Sequence, residues 1–112
     1  MQIIDMNIWT NGCFDILHIG HIAMLEYAAS LGDKLVVGVD TDERVKRSKG
    51  ESRPINCAED RKKFLQAIRF VDKVVEFNSD EELTQHLIDN EIDVMVVGSD
   101  WKEKRIIGQE VV

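Results

Sequence analysis

The chain passes from its first predicted strand to its first predicted helix through Thr10-Asn11-Gly12-Cys13-Phe14-Asp15-Ile16-Leu17-His18-Ile19-Gly20-His21. An apolar pattern typical of a helix follows, at Ile22, Leu25, Ala28 and Ala29. We therefore expect His18 in the loop and His21 in the first helical turn. A helix N-terminus offers unpaired N–H groups and the positive end of a dipole, so it is suited to bind an anion. Two imidazoles directed at one anion indicate phosphate chemistry.

The rest of the chain predicts alternating strands and helices. Short β-branched or apolar runs predict strands over residues 7–10, 35–39, 73–77 and 94–97, and the segments between them predict helices over 22–31, 59–70 and 81–90. The longest irregular piece, residues 40–54, carries the only markedly basic segment. The order βαβαβαβ predicts one α/β domain over residues 1–112, a doubly wound parallel sheet with helices on both faces. Ligands of such sheets bind at the carboxyl ends of the strands, where the strand order reverses.

Composition excludes several classes of function. The 112 residues are 44% hydrophobic and carry a net charge of −7, which argues against nucleic acid or anionic membrane as a partner. Two cysteines without metal-ligand spacing favour reduced thiols and a cytoplasmic location. We see neither an apolar run of about 18 residues nor a leader pattern, so we expect no membrane span and no signal peptide.

The stretch from Thr10 to His21 resembles the signature of the cytidylyltransferase-like nucleotidyltransferases. This superfamily includes glycerol-3-phosphate cytidylyltransferase and heptose-1-phosphate adenylyltransferase. Further segments match in order and spacing: Leu31-Gly32-Asp33, Val39-Asp40-Thr41-Asp42, Lys49-Gly50, Arg53-Pro54, Glu59-Asp60-Arg61, Ile68-Arg69-Phe70-Val71-Asp72, Ile92-Asp93-Val94 and Gly98-Ser99-Asp100-Trp101. The resemblance implies a Rossmann-like fold. It also implies transfer of a nucleotidyl group from a nucleoside triphosphate to a phosphomonoester, with release of pyrophosphate.

The resemblance also assigns roles to residues of this chain. His18, His21 and Lys49 are expected to be catalytic, and Lys46, Lys49 and Arg69 to bind the acceptor. Nucleotide and phosphate binding is expected of Thr10, Asn11, Gly12, Cys13, Phe14, Gly20, Arg61, Asp100 and Trp101. We predict no dedicated metal ligands, and Mg²⁺ is expected to accompany the triphosphate.

Substrate and assembly leave alternatives open. The sequence combines features of both named subfamilies, and our first expectation is CTP with a glycerol 3-phosphate-like acceptor. The alternatives are ATP with a heptose-like sugar 1-phosphate, or a non-catalytic nucleotide-binding module. The third is motivated by the end of the sequence at Val112, ahead of the family's Ser-Thr-Thr-like motif, so the last strand and helix of the fold are expected to be missing. The family resemblance further implies a homodimer.

Overall fold

The computed structural model describes residues 6–97 together with the backbone of residues 102–104. Four helices and five strands follow one another in these described residues. They are β1 (Asn7–Gly12), α1 (Ile19–Ser30), β2 (Lys34–Asp40), α2 (Asp42–Lys49), α3 (Ala58–Gln66), β3 (Lys73–Phe77), α4 (Asp80–Asp89), β4 (Val94–Val97) and β5 (Lys102–Lys104). None of the helices in the described part of the chain is long and apolar enough to cross a membrane.

The strands form one sheet in the order β3-β2-β1-β4-β5. β1 lies in the centre and pairs in parallel with β2 on one side and β4 on the other. The strand order therefore reverses at β1, whose carboxyl end leads into the histidine segment. A Rossmann-like α/β sheet is confirmed, with one correction: the edge strand β5 runs antiparallel to β4.

Side chains alternate between the two faces of the sheet, and helices cover both faces. On one face Ile8, Leu35 and Val37 pack with Leu25 of α1 and Leu65 of α3. On the other face Trp9 and Val36 pack with Leu87 of α4 and with Ile92. β2 is buried along almost its whole length, as expected for a central parallel strand. The sheet is thus a rigid platform whose carboxyl edge carries the loops.

The structure corrects the prediction that residues 40–54 are irregular, because Asp42–Lys49 form α2. The Thr41 hydroxyl caps this helix by accepting from the Arg44 N–H at 3.1 Å. Acidic residues occupy its first turn and basic residues its last turn, which suits the helix dipole. Val45 is its only buried residue, so the helix lacks the apolar periodicity that sequence analysis depends on.

Two other helices differ from prediction at their ends. α1 begins at Ile19 rather than residue 22, because the histidine segment itself supplies the cap. α3 ends at Gln66 rather than residue 70, and a turn then leads to β3. Ile68 still packs on the core from that turn, so the apolar pattern continues past the end of the helix.

Candidate active site

The two histidines cap the N-terminus of α1 with their own rings. His18 is the N-cap residue, and its Nδ1 accepts a hydrogen bond from the Gly20 N–H at 3.0 Å. His21 lies in the first turn, and its Nδ1 accepts from the His18 N–H at 3.2 Å. Both positions agree with the sequence prediction. This reciprocal arrangement pairs two backbone donors that a helix end otherwise leaves unpaired.

The capping bonds select one neutral tautomer for both rings. Because each Nδ1 accepts, the proton of each neutral imidazole lies on Nε2. Within residues 6–97 neither Nε2 has a protein hydrogen-bond partner. The ring centroids of His18 and His21 lie 4.1 Å apart, so two N–H donors are held side by side. Burial and the nearby His18 lower the pKa of His21, which favours this neutral state.

There is no room for a side chain at the position of Gly20. A Cβ at Gly20 would lie 2.8 Å from Cε1 and 3.0 Å from Nδ1 of His18. Any larger residue must therefore displace the His18 ring. The glycine of the motif is required by the position of its neighbour, in addition to allowing close approach of a ligand to the backbone.

The loop between β1 and α1 is fastened by Phe14 and Asp15. Phe14 has a φ of 52°, is buried, and its ring lies 5.5 Å from that of His21. The buried Asp15 carboxylate accepts from the backbone N–H groups of Ile55 at 2.8 Å and Asn56 at 2.7 Å. Burial raises the pKa of Asp15, but these hydrogen bonds and Arg53 outweigh it, and the net pKa is lowered. Asp15 is therefore an ionised clamp between two loops.

Arg61 lies beneath the site rather than in it. Its side chain is fully buried, and its guanidinium donates to the carbonyl oxygens of Cys13 and Asp40, both at 2.8 Å, and of Asn56 at 2.9 Å. A fourth bond, of 2.6 Å, reaches Oδ1 of Asp42. The role of Arg61 in phosphate binding stays a prediction; in this structure the buried guanidinium makes four hydrogen bonds that join the loops after β1 and β2 to α3. Arg61 therefore holds the loops of the site in place through hydrogen bonds to their backbone carbonyl oxygens.

A cleft of about 450 Å³ opens beside the histidine loop, at the carboxyl ends of β1 and β2. It is lined by Cys13, Asp40, Arg44, Arg47, Ser48 and Lys49. Three cations and one carboxylate make it basic within an acidic chain. The cleft can hold a small anion next to the segment that carries the histidines. Lys49, which the sequence predicted as a site residue, is the last residue of α2 and lines this cleft.

Other predicted site residues lie in different surroundings. Thr10 is buried, and its hydroxyl donates to the Met24 sulfur at 3.6 Å, so its role in nucleotide binding stays a prediction. Asn11 accepts from the Trp9 indole at 2.8 Å, and Gly12 lies against the Phe14 ring. Lys46 is exposed on α2 but does not line the cleft, and Arg69 is exposed and stacks on the Phe70 ring at 5.1 Å. Asp100 and Trp101 lie outside the described residues.

Sequence analysis missed several residues that shape this region. Asp40, Arg44 and Arg47 line the cleft, and Asp42 holds both Arg61 and the Ala58 N–H. The signal for them was the alternation of acidic and basic residues after a buried strand, with Thr41 as a possible N-cap. Once the segment is a helix, Arg44 and Arg47 fall on one face because they are three residues apart.

Paired imidazole donors at a helix start, beside a basic cleft at the carboxyl edge of a parallel sheet, are characteristic of a nucleotide-handling α/β domain. The sequence model of the cytidylyltransferase-like family matches residues 9–110. The chain belongs to this family, whose members are nucleotidyltransferases.

Relatives of known name agree with this assignment. The bifunctional protein HldE of Campylobacter concisus is 50% identical over 106 residues, which are 94% of this chain and 22% of that protein. The bifunctional protein HldE of Haemophilus influenzae gives the same identity and the same coverage. The chain thus spans about a fifth of the length of the curated relatives it matches. A solved lipopolysaccharide core biosynthesis protein from Thermoplasma volcanium is 31% identical with a TM-score of 0.75, covering 88% of this chain and 78% of that one.

Proposed function

We propose that this domain transfers a nucleotidyl group from a nucleoside triphosphate to a phosphomonoester and releases pyrophosphate. The observation that carries the proposal is the histidine pair, with both Nδ1 atoms engaged in capping and both Nε2–H groups left for a ligand. An oxygen of the acceptor phosphate attacks the α-phosphorus, and the bond from that phosphorus to the bridging oxygen of pyrophosphate breaks. Negative charge gathers on the oxygens around the α-phosphorus, where two fixed N–H donors and the α1 N-terminus stabilise it.

The basic cleft supplies the acceptor side of the proposed reaction. Lys49, Arg44 and Arg47 line it, and a phosphate dianion is attracted by their combined charge. The cleft and the histidines share the segment that follows β1, so an acceptor in the cleft lies next to the nucleotide. Lys46, one turn earlier on α2, adds charge at longer range. Reaction rate then depends mainly on positioning and charge stabilisation.

Mg²⁺ is proposed, from the family resemblance, as a partner of the triphosphate. The described part of the chain contains no cluster of three or more His, Cys, Asp or Glu side chains that could hold a metal. Mg²⁺ commonly keeps several waters and is held largely by substrate phosphates. When bound with the nucleotide it would neutralise triphosphate charge, and the protein's own donors act on the remaining oxygens.

The nature of the two substrates is the finer part of the proposal. Our first expectation from sequence was CTP with a glycerol 3-phosphate-like acceptor. The similarity to HldE and to a lipopolysaccharide core biosynthesis protein favours a sugar phosphate as the acceptor, because lipopolysaccharide contains sugars. Among the alternatives from sequence, a sugar 1-phosphate is the acceptor that goes with ATP. We therefore place ATP and a sugar 1-phosphate first, and CTP with a polyol phosphate second. A homodimer is proposed from the family resemblance, and sedimentation equilibrium tests it.

Pyrophosphate release measured with ATP or CTP, each with mannose 1-phosphate or glycerol 3-phosphate, tests the proposal. His18→Ala and His21→Ala are each expected to lower kcat by about two decades or more, the scale of losing a transition-state donor. His86→Ala is the matched control, because His86 lies on α4 and its Nε2 bonds the Glu76 carbonyl oxygen at 2.8 Å. Wild-type turnover in the His18/His21 double variant would exclude the catalytic assignment. Nucleotide binding without turnover in the wild-type chain would favour the non-catalytic module.

A further inference from the structure

Of the described residues that line the basic cleft, Asp40 is the only carboxylate. It stands at the carboxyl end of β2, and its side chain is 17% exposed. Its Oδ1 lies 3.5 Å from Nε of Arg44, whose guanidinium also reaches Asp80 at 3.1 Å. A negative carboxylate repels a phosphate that binds in the same cleft. The position of Asp40 therefore needs another explanation than phosphate binding.

The Asp40 carboxylate pairs with Arg44 through Oδ1 but fastens no loop. The neighbouring acids Asp15 and Asp42 accept from backbone N–H groups and so fasten loops. Asp40 is anchored instead through its backbone carbonyl, which accepts from Arg61 at 2.8 Å. Within residues 6–97, no N–H or O–H group donates to its Oδ2. Asp40 therefore brings to the lining of the cleft a carboxylate oxygen that has no donor among the described residues.

The chemistry of such an oxygen selects its ligand. An ionised carboxylate only accepts hydrogen bonds, whereas a phosphate offers it few donors at neutral pH. Hydroxyl groups carried near the phosphate of a polyol or sugar are donors within the same molecule. Burial raises the pKa of Asp40, and a hydroxyl donor would offset part of the lost hydration.

We propose that Asp40 accepts a hydrogen bond from a hydroxyl of the phosphomonoester, so that the cleft selects polyol or sugar phosphates over plain alkyl phosphates. The cations of the cleft hold the phosphate, and Asp40 recognises the carbon skeleton beside it. Asp40 is then a specificity-determining residue of the acceptor site. The inference rests on the proposed function, because it takes the cleft to be the acceptor side.

Calorimetry with two matched pairs of ligands tests the inference without nucleotide or turnover. The pairs are glycerol 3-phosphate with propyl phosphate and mannose 1-phosphate with cyclohexyl phosphate. In at least one pair the wild type is expected to bind the hydroxylated member about tenfold more tightly or better, the scale of a hydrogen bond to a charged group. Asp40→Ala should bring that ratio close to one, while affinity for the plain alkyl phosphate stays the same or rises. Glu51→Gln, which neutralises an exposed acid outside the cleft, should keep the wild-type ratio.

Three outcomes would overturn the inference. The wild type could show no preference in either pair, or bind none of these esters. Asp40→Ala could keep the wild-type ratio. Both members of a pair could weaken together in Asp40→Ala and in the shape-conserving Asp40→Asn, with a lowered Tm, which would identify a structural role. Failure of pyrophosphate release with the ratio intact would count against the proposed function alone.

Discussion

Replacing Arg61 by methionine removes the buried cation that joins the loops after β1 and β2 to α3. The substitution leaves the carbonyl oxygens of Cys13, Asp40 and Asn56 without their described donor. The Asp42 side chain is 43% exposed, so water can replace Arg61 as its partner, and the loss of this ion pair adds little to the destabilisation. The carbonyl acceptors are partly buried, and each one left without a partner costs up to about 1–3 kcal/mol. Because the loops can relax partially, we expect the free energy of unfolding to fall by about 3–5 kcal/mol in total. This is a large part of the roughly 5–15 kcal/mol by which a typical domain is stable.

Urea unfolding followed by circular dichroism measures this loss. Arg61→Lys should lose most of the same free energy, since one ammonium cannot reach four acceptors in different directions. Lys63→Met, an exposed cation two residues along α3, is the control and should change stability by less than about 0.5 kcal/mol. An Arg61→Met domain within about 1 kcal/mol of wild type would refute the reasoning. If that stable variant instead lost affinity for ATP or CTP, Arg61 would be a phosphate ligand, as the sequence suggested.

Three further outcomes are expected. Gly20→Ala should lower turnover at least about tenfold by displacing the His18 ring. The Tm should change little, because the higher helix propensity of alanine, up to about 1 kcal/mol, offsets the loss of the His18 cap. Unchanged turnover would contradict the contact. The lowered pKa of Asp15 means that its stabilising contribution is present above its unfolded pKa and is lost as pH falls through the folded value, so Asp15→Asn should flatten acid unfolding below about pH 4. Because the pKa of His21 is lowered in the folded state, an NMR titration should give its imidazole a midpoint below that of a free histidine. The free energy of unfolding should fall as the pH drops below about 6.5, where the unfolded chain binds the proton more readily. A raised midpoint would contradict the capping tautomer.

The sequence predicts the sheet well because burial is strongly patterned there. The predicted strands 73–77 and 94–97 coincide with β3 and β4, and the predicted parts of β1 and β2 lie within the observed strands. β2 was found because its apolar run is buried on both faces. α2 was missed because its stability comes from a Thr41 cap and charge placement rather than an apolar face.

The candidate site could be predicted where one local segment decides it. His18 and His21 are both placed by one helix start, so spacing along the chain was sufficient. Arg61 was different, because its position depends on contacts 21 and 48 residues away in the chain. Such contacts form only once the sheet has brought the loops together. Burial of a charged side chain is therefore the kind of outcome that a single sequence does not reveal.

The histidine cap has a consequence for engineering. Histidine is an unusual N-cap residue, a position where serine, aspartate and asparagine are strongly preferred. His18→Asp would thus be expected to strengthen the start of α1 while removing one of the two N–H donors. Under the proposed function, stability and activity compete at this one residue, and screening variants for heat resistance alone would tend to select inactive protein. Directed evolution of this domain should therefore select for turnover from the first round.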